Sequence, residues 1–215
     1  MSVITIERKV LEKNDMVAAL NRELFRSKRI FVINMLSSPG SGKTSLIEKA
    51  IQSIGNEIEI AVIEGDVQTD LDAQRISKFN VPVVQIVTNG GCHLEANLVR
   101  DAFEKIKENK TDLLIIENVG NLVCPAGYDL GENEKVVIIS VTEGDDKPLK
   151  YPAMFLKSNY LIINKTDLIP YTDCRLNELK SNALKINPRL KIFDTSCKTG
   201  EGIDEWCGCL KAKVR

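Results

Sequence analysis

The run Ser37-Ser38-Pro39-Gly40-Ser41-Gly42-Lys43-Thr44 follows an apolar stretch, Ile30 to Leu36, and precedes the helix-like segment Ser45 to Ile51. An apolar strand, a glycine-rich loop and a helix in that order make a phosphate-binding loop. Small residues let successive backbone N–H groups turn inward around phosphate oxygens, and the N-terminus of the following helix adds its positive dipole. Gly40, Ser41, Gly42 and Ser45 belong to that cradle. Lys43 can reach the β- and γ-phosphates, and the Thr44 hydroxyl can ligate Mg2+. Ser37 stands where the pattern has its first glycine, and nothing in the sequence explains it. A nucleoside triphosphate is the expected ligand.

Two further segments should meet the phosphates. Glu64-Gly65-Asp66 and Glu117-Asn118-Val119-Gly120-Asn121 both close apolar runs. With Lys43 as the third catalytic candidate, Asp66 and Glu117 are placed to hold Mg2+ directly or through water and to orient an attacking water. The Gly120 amide is placed to sense the γ-phosphate. For Asp66 the structural alternative is the N-cap of the next helix. Asp70, Asp72 and Arg75 form either a switch segment or a solvated helix face. Leu161-Ile162-Ile163-Asn164-Lys165-Thr166-Asp167 points to the base. The Asp167 carboxylate can accept from guanine N1–H and the exocyclic amine together, whereas adenine offers no matching donors and would leave a buried carboxylate unpaired. Asn164 can tie neighbouring loops, and the Lys165 stem can lie along the base plane. Ser196-Cys197-Lys198, after the next strand, resembles the last base-binding loop of GTPases, with a backbone amide near Cys197 meeting guanine O6. GTP is expected over ATP, and the same run speaks against a small-molecule kinase.

Sulfur and imidazole supply a second chemistry. The chain has six cysteines and one histidine, and His93 directly follows Cys92 after Gly90-Gly91. A helix beginning near His93 would place Cys92 at its N-terminus, where the dipole lowers a thiol pKa. Cys124-Pro125 follows the next strand, and parallel strands would open both loops at the phosphate edge. Taken singly, each cysteine reads as a small buried hydrophobe and the histidine as core or surface. Taken together they read as a site for Ni2+ or Zn2+. Adjacent residues tend to point apart, and three soft ligands are one short of a closed tetrahedral site. Two chains about a twofold axis would supply four thiolates, which suit Zn2+ or square-planar Ni2+. A homodimer closed at the phosphate edge is therefore expected, with nucleotide and metal binding coupled. Cys207 and Cys209, beside Trp206 and Leu210, read as packing.

The elements that must position these groups alternate along the chain. Strands are expected at 30–36, 58–63, 82–87, 112–116, 135–141, 159–163 and 190–194. Helices are expected near 44–54, 68–79, 93–108, 148–157, 173–186 and 203–213. Continuous apolar strands between amphipathic helices predict an α/β fold: a doubly wound, mostly parallel sheet of about seven strands with helices on both faces. Residues 1–29 form an extension whose helix, 8–27, is expected to lie on the core through Met16, Val17, Leu20 and Leu24, a partner-binding arm being the alternative. Residues 30–215 form one GTPase domain. A net charge of −1 with 27% charged residues suggests neither nucleic acid nor a membrane surface. No apolar run approaches the roughly 20 residues of a membrane span. The first residues lack the features of a signal peptide, so the cysteines read as thiols or ligands in a cytoplasmic protein.

With these motifs in hand, the chain resembles the HypB family of GTPases that assist nickel insertion into [NiFe] hydrogenases. The resemblance is carried by residues 37–44, 64–66, 89–93, 116–126, 140–144, 147–150 and 164–167, and the run from Glu117 to Ala126 is the most specific. It implies a low-turnover P-loop GTPase of the dimerising class, using GTP and GDP with Mg2+. It also implies metal ligation by Cys92, His93 and Cys124 at a subunit interface. Its implied partners are a HypA-type nickel chaperone and the hydrogenase large subunit. Some family members carry an N-terminal Cys-x-x-Cys-Gly-Cys site or a His-rich tract; neither occurs in this sequence, which puts nickel storage in doubt. The rival readings are a related chaperone GTPase for another metalloenzyme such as urease, whose relatives carry Cys-Pro-His, and a nucleotide-gated metal-storage scaffold.

Overall fold

Each of the seven apolar runs becomes a strand: β1 Phe31–Ser37, β2 Ile60–Asp66, β3 Val83–Val87, β4 Leu113–Glu117, β5 Glu134–Ser140, β6 Tyr160–Asn164 and β7 Lys191–Asp194. The computed structural model describes residues 6–68 and 70–214. Residues 1–5 of the expected extension, Thr69 within the expected helix 68–79, and residue 215 lie outside the described residues. The strands form one sheet in the order β3-β2-β4-β1-β5-β6-β7, and every pair is parallel. The α-helices among the described residues are α1 Ile6–Ser27, α2 Lys43–Ile54, α3 Leu71–Ser77, α4 Ala96–Ile106, α5 Lys147–Lys150, α6 Pro152–Leu156, α7 Leu176–Ile186 and α8 Ile203–Val214.

Helices cover both faces, which is why the central strands carry continuous apolar runs such as Leu113–Ile116 and Val136–Ile139. On one face α2, α3 and α8 pack on Ile33, Val62, Ile115 and Ile138, with Trp206 and Cys207 inside that core. On the other, Phe25 of α1 and Val99 and Phe103 of α4 pack on Val32, Ile63 and Leu114. Met154 and Phe155 of α6 and Leu179 of α7 cover the other half of that face, on Val137 and Leu161. All strand C-termini open at one edge. The chain's direction across the sheet reverses at β1, between β4 and β5, and a doubly wound sheet binds ligands in such a crevice. Among the described residues no helix is long and apolar enough to cross a membrane.

Four expectations about the helices are corrected. The helix expected over 148–157 is broken at Tyr151 (φ −127°, ψ 52°), because the ring of Pro152 disfavours helical backbone in the residue before it. The helix expected over 68–79 is confined to Leu71–Ser77. The helix expected from 93 starts at Ala96, so Cys92 does not sit at a helix N-terminus. Helix α1 packs on the core, with Leu24 against it as expected and Val17 half-buried, but Met16 is 65% and Leu20 52% exposed, while Asn14, Ala18, Asn21 and Phe25 are buried. Apolar periodicity placed the centre of the buried stripe wrongly because Asn14 and Asn21 in it are polar.

Candidate functional site

The phosphate loop bridges β1 and α2. Gly40 (φ +76°) and Gly42 (φ +98°) take left-handed backbone there, a conformation that a Cβ disfavours. A Cβ on Gly42 would also press into Asn164 Nδ2. Lys43 Nζ donates to Ser37 Oγ at 2.9 Å, and Ser37 Oγ donates to the Ser38 carbonyl at 2.6 Å. The residue that departs from the glycine pattern thus holds the loop lysine. Ser38 and Ser41 hydroxyls donate to Glu143 Oε2 and Oε1 at 2.6 and 2.7 Å. Glu143 was not singled out in the sequence, since its partners lie about a hundred residues away.

A cleft of about 500 Å3 lies over this loop, lined among others by Lys43, Thr44, Glu64, Asp66, Asp72, Glu117 and Gly120. Thr44 Oγ1 donates to Glu117 Oε1 at 3.0 Å, and Lys43 Nζ is 3.8 Å from the same oxygen. Glu64 was named in the sequence only as part of a strand end, with no role of its own. It pairs in register with Glu117 on the neighbouring strand, so both carboxyls emerge on one face. Oxygens of Glu64, Asp72 and Glu117 all lie within 4.8 Å of one another. Burial, then Glu117, pushes the Glu64 carboxyl up to about 11; burial also raises Glu117, against the pull of Lys43. Glu64 Oε2 and Glu117 Oε2 are buried without a hydrogen-bond partner. Two such carboxyls retain a proton unless a cation takes its place. Hard oxygen donors around Thr44 therefore fit Mg2+.

Asp66 lines the same cleft, and its Oδ1 accepts from the Gln68 amide at 2.9 Å. It closes a local turn rather than capping the helix, whose N-cap is Asp70. Arg75 is not a free surface charge: it pairs with Glu48 at 2.8 Å and Asp72 at 3.1 Å.

A second cleft, of about 490 Å3, shares Gly42, Ser45 and Lys165 with the first and is further lined by Asn164, Asp167, Cys197 and Lys198. Asn164 Nδ2 donates to the Ser41 carbonyl at 2.9 Å, and Lys165 Nζ to the Gly40 carbonyl at 2.7 Å. Both residues tie the β6 loop to the phosphate loop. Ser196 Oγ donates to Asp167 Oδ1 at 2.6 Å, which orients that carboxylate. Burial pushes the Cys197 thiol up to about 11, so it stays neutral.

Beyond β2 on the same edge, Cys92, His93 and Cys124 offer ligand atoms that all lie within 4.8 Å of one another. Cys92 Sγ is 3.4 Å from His93 Nδ1. The expectation that these neighbours point apart is corrected. The segment is a loop with left-handed Asn89 (φ +50°) and Gly90 (φ +99°), so it lacks the fixed angular step of a helix. The expected lowering of the Cys92 pKa is also overturned: it is raised, chiefly by the hydrogen bond with the Cys124 thiol and then by burial. Burial lowers the His93 pKa, which favours the neutral, ligating imidazole. Its ring stacks on Tyr128, centroids 3.8 Å apart at 28°. Two thiols and one imidazole suit Ni2+ or Zn2+.

Asn118 joins the two regions. It lines the phosphate cleft, and its Oδ1 accepts the amides of Leu94 at 3.1 Å and Val119 at 3.0 Å. The Leu94 side chain lies where a Cβ on Gly65 would be, within 2.8 Å, so the loop carrying His93 rests directly on β2 beside Glu64.

A family of proteins described as CobW/HypB/UreG, nucleotide-binding domain, matches residues 31–194. The chain is 51% identical over 209 residues to the hydrogenase maturation factor HypB of Azotobacter chroococcum mcd 1, covering 97% of this chain and 68% of that protein. It is similar to the crystal structure of hydrogenase maturation factor HypB from Archaeoglobus fulgidus, with TM-score 0.90, 40% identity, and 95% and 100% of the two chains covered. It is equally similar to HypB from Helicobacter pylori crystallised in complex with nickel, with TM-score 0.90, 41% identity, and 94% and 95% covered.

Proposed function

The chain belongs to the HypB family of hydrogenase maturation factors, within the CobW/HypB/UreG nucleotide-binding proteins, and we propose that it is a GTP-hydrolysing metallochaperone. In this reading it carries nickel, with zinc as a competing ion, on Cys92, His93 and Cys124 at a homodimer interface. It assists nickel insertion into [NiFe] hydrogenase in the cytoplasm, alongside a HypA-type chaperone and the hydrogenase large subunit. Residues 30–215 are the GTPase domain and 1–29 its extension. The observation that carries the proposal is the convergence of three soft donors at the same sheet edge as the phosphate cleft, with Asn118 touching both.

The residues divide the work by their chemistry. Backbone amides of Gly40, Ser41, Gly42 and Ser45 and the Lys43 ammonium hold the phosphates, with the Gly120 amide facing the terminal one. Thr44, Asp66 and Glu117, with Glu64 and Asp72 close by, would hold Mg2+, which neutralises phosphate charge. Asp66 and Glu117 also orient the attacking water. Asp167, held by Ser196, reads guanine; Asn164 and Lys165 keep the base loop against the phosphate loop, and the Cys197 and Lys198 backbone closes over the base.

The test is turnover and binding in one series. Wild-type protein should hydrolyse GTP but not ATP, with a rate that changes on adding Ni2+ or Zn2+. Asp167→Ala removes charge-assisted hydrogen bonds worth roughly 1.5–3 kcal/mol each and should weaken GTP binding at least about tenfold. A Cys92→Ala, Cys124→Ala variant should lose Ni2+ and keep GTP. Absence of turnover would replace the proposal by a nucleotide-gated storage scaffold, and full metal stoichiometry in the double variant would remove the cluster from it.

A further inference from the structure

Among the described side chains of helix α1, the buried stripe carries asparagine twice, Asn14 and Asn21 beside Ala18 and Phe25. A buried amide side chain is unfavourable unless its polar atoms find partners. Seven residues apart, the two lie on one helix face, two turns from each other. Together they take backbone groups from two distant segments, the first residue of α4 and the loop after Cys124. Asn14 Oδ1 accepts the Ala96 amide at 2.9 Å, and Asn14 Nδ2 donates to the Asp129 carbonyl at 2.8 Å. Asn21 Nδ2 donates to the carbonyls of Ala96 at 2.8 Å and Leu130 at 3.1 Å.

Those segments directly follow the loops that bear the cluster. Ala96 lies just after Cys92 and His93, while Asp129 lies between Tyr128, whose ring stacks on His93, and Leu130, shortly after Cys124. Arg22 adds a two-pronged contact to the Asp129 carboxylate at 2.7 Å. At Gly131 (φ +93°) the loop backbone lies directly on the helix, where a Cβ would come within 2.6 Å of Asn21 Cβ. Burying the helix requires none of this, since Phe25 already packs edge-on against Phe103.

We propose that Asn14 and Asn21 are positioning residues for the Cys92–His93–Cys124 cluster. Helix α1 is the bracket that sets the separation of the two loops, so that the three donors converge before a metal arrives. This rests on the reading of the cluster as a metal site. Outer-shell partners that orient ligands typically change metal affinity by about 10–100-fold when removed, through the ordering cost that preorganisation avoids.

The experiment titrates Ni2+ into the full chain against a competing chelator, following the thiolate-to-nickel charge-transfer absorbance. Asn14→Leu should weaken Ni2+ binding by about 10-fold or more and shift the absorbance band, with GTP affinity unchanged. Asn14→Asp keeps the acceptor for Ala96 but loses the donor to Asp129, and should fall between Asn14→Leu and wild type. Should Asn14→Leu not fold, Asn14→Asp carries the test. Trp206→Phe loosens the opposite face of the sheet; it should lower the urea midpoint without moving the nickel spectrum or affinity. Wild-type nickel affinity and spectrum in the Asn14 variants overturn the inference, as does a loss in Trp206→Phe that tracks stability equally. Unchanged nickel binding in Cys92→Ala would instead overturn the metal-site reading beneath it.

Discussion

Glu64 and Glu117 stand opposite each other on neighbouring strands, buried, with an unpartnered oxygen apiece. In the folded chain without nucleotide or cation, Glu64 keeps its proton until pH approaches about 11, whereas the unfolded chain releases it near the ordinary 4.5. Between those values the unfolded state binds fewer protons, so folded-state stability must fall as pH rises. The urea midpoint of the ligand-free protein should therefore drop between about pH 5 and 9, and Glu64→Gln should flatten that slope. Equal slopes in the two proteins would show that the carboxyl pair does not carry the shared proton. Lys43, Thr44, Glu117 and Asp167 were singled out in the sequence because each belongs to a short motif whose spacing suggests a chemistry, and all four line the two clefts. Glu64, Asp72, Glu143 and Asn118 were not legible in that way. Each finds its partner on a different strand or helix, and no local spacing records that meeting.

At the scale of elements, the strands were legible to within about three residues, because each is built on a short apolar run, and the central ones are buried on both faces. Helices were legible where packing alone sets them, as in α2, α7 and α8. They were misread where a single residue or a polar contact decides: Pro152 splits α5 from α6, and two asparagines turn the α1 stripe away from Met16 and Leu20. The phosphate loop is the element whose shape matters most. In Gly42→Ala the left-handed backbone costs roughly 1–2 kcal/mol, and the new methyl displaces Asn164 from its bond to the Ser41 carbonyl. Both the urea midpoint and the calorimetric GTP affinity should fall. A loss of stability with wild-type GTP affinity would show that the Asn164 tie does not shape the nucleotide cleft.

At the scale of the whole molecule, an all-parallel sheet delivers every strand end to one edge, and the order β3-β2-β4-β1 sets the cysteine loops beside the phosphate loop. One chain supplies three soft donors, still one short of a closed four-coordinate site. If the proposed dimer closes the site, sedimentation should give a doubled mass with a non-hydrolysable GTP analogue and Ni2+, and the monomer mass with GDP alone. Identical mass in GDP and analogue, with and without Ni2+, would contradict the coupling. The sequence by itself determined the kinds of groups present: a glycine-rich loop between strand and helix, a strand-end carboxylate, thiols beside an imidazole, and alternating elements that demand a doubly wound sheet. Those rest on neighbours a few residues apart, where backbone geometry leaves little choice. Only the tertiary structure decided which groups meet — Glu64 with Glu117, Cys92 and His93 with Cys124, Asn14 and Asn21 with the loops behind them. Strand order and helix-face contacts made those pairings, and both are properties of packing across the chain rather than of any segment within it.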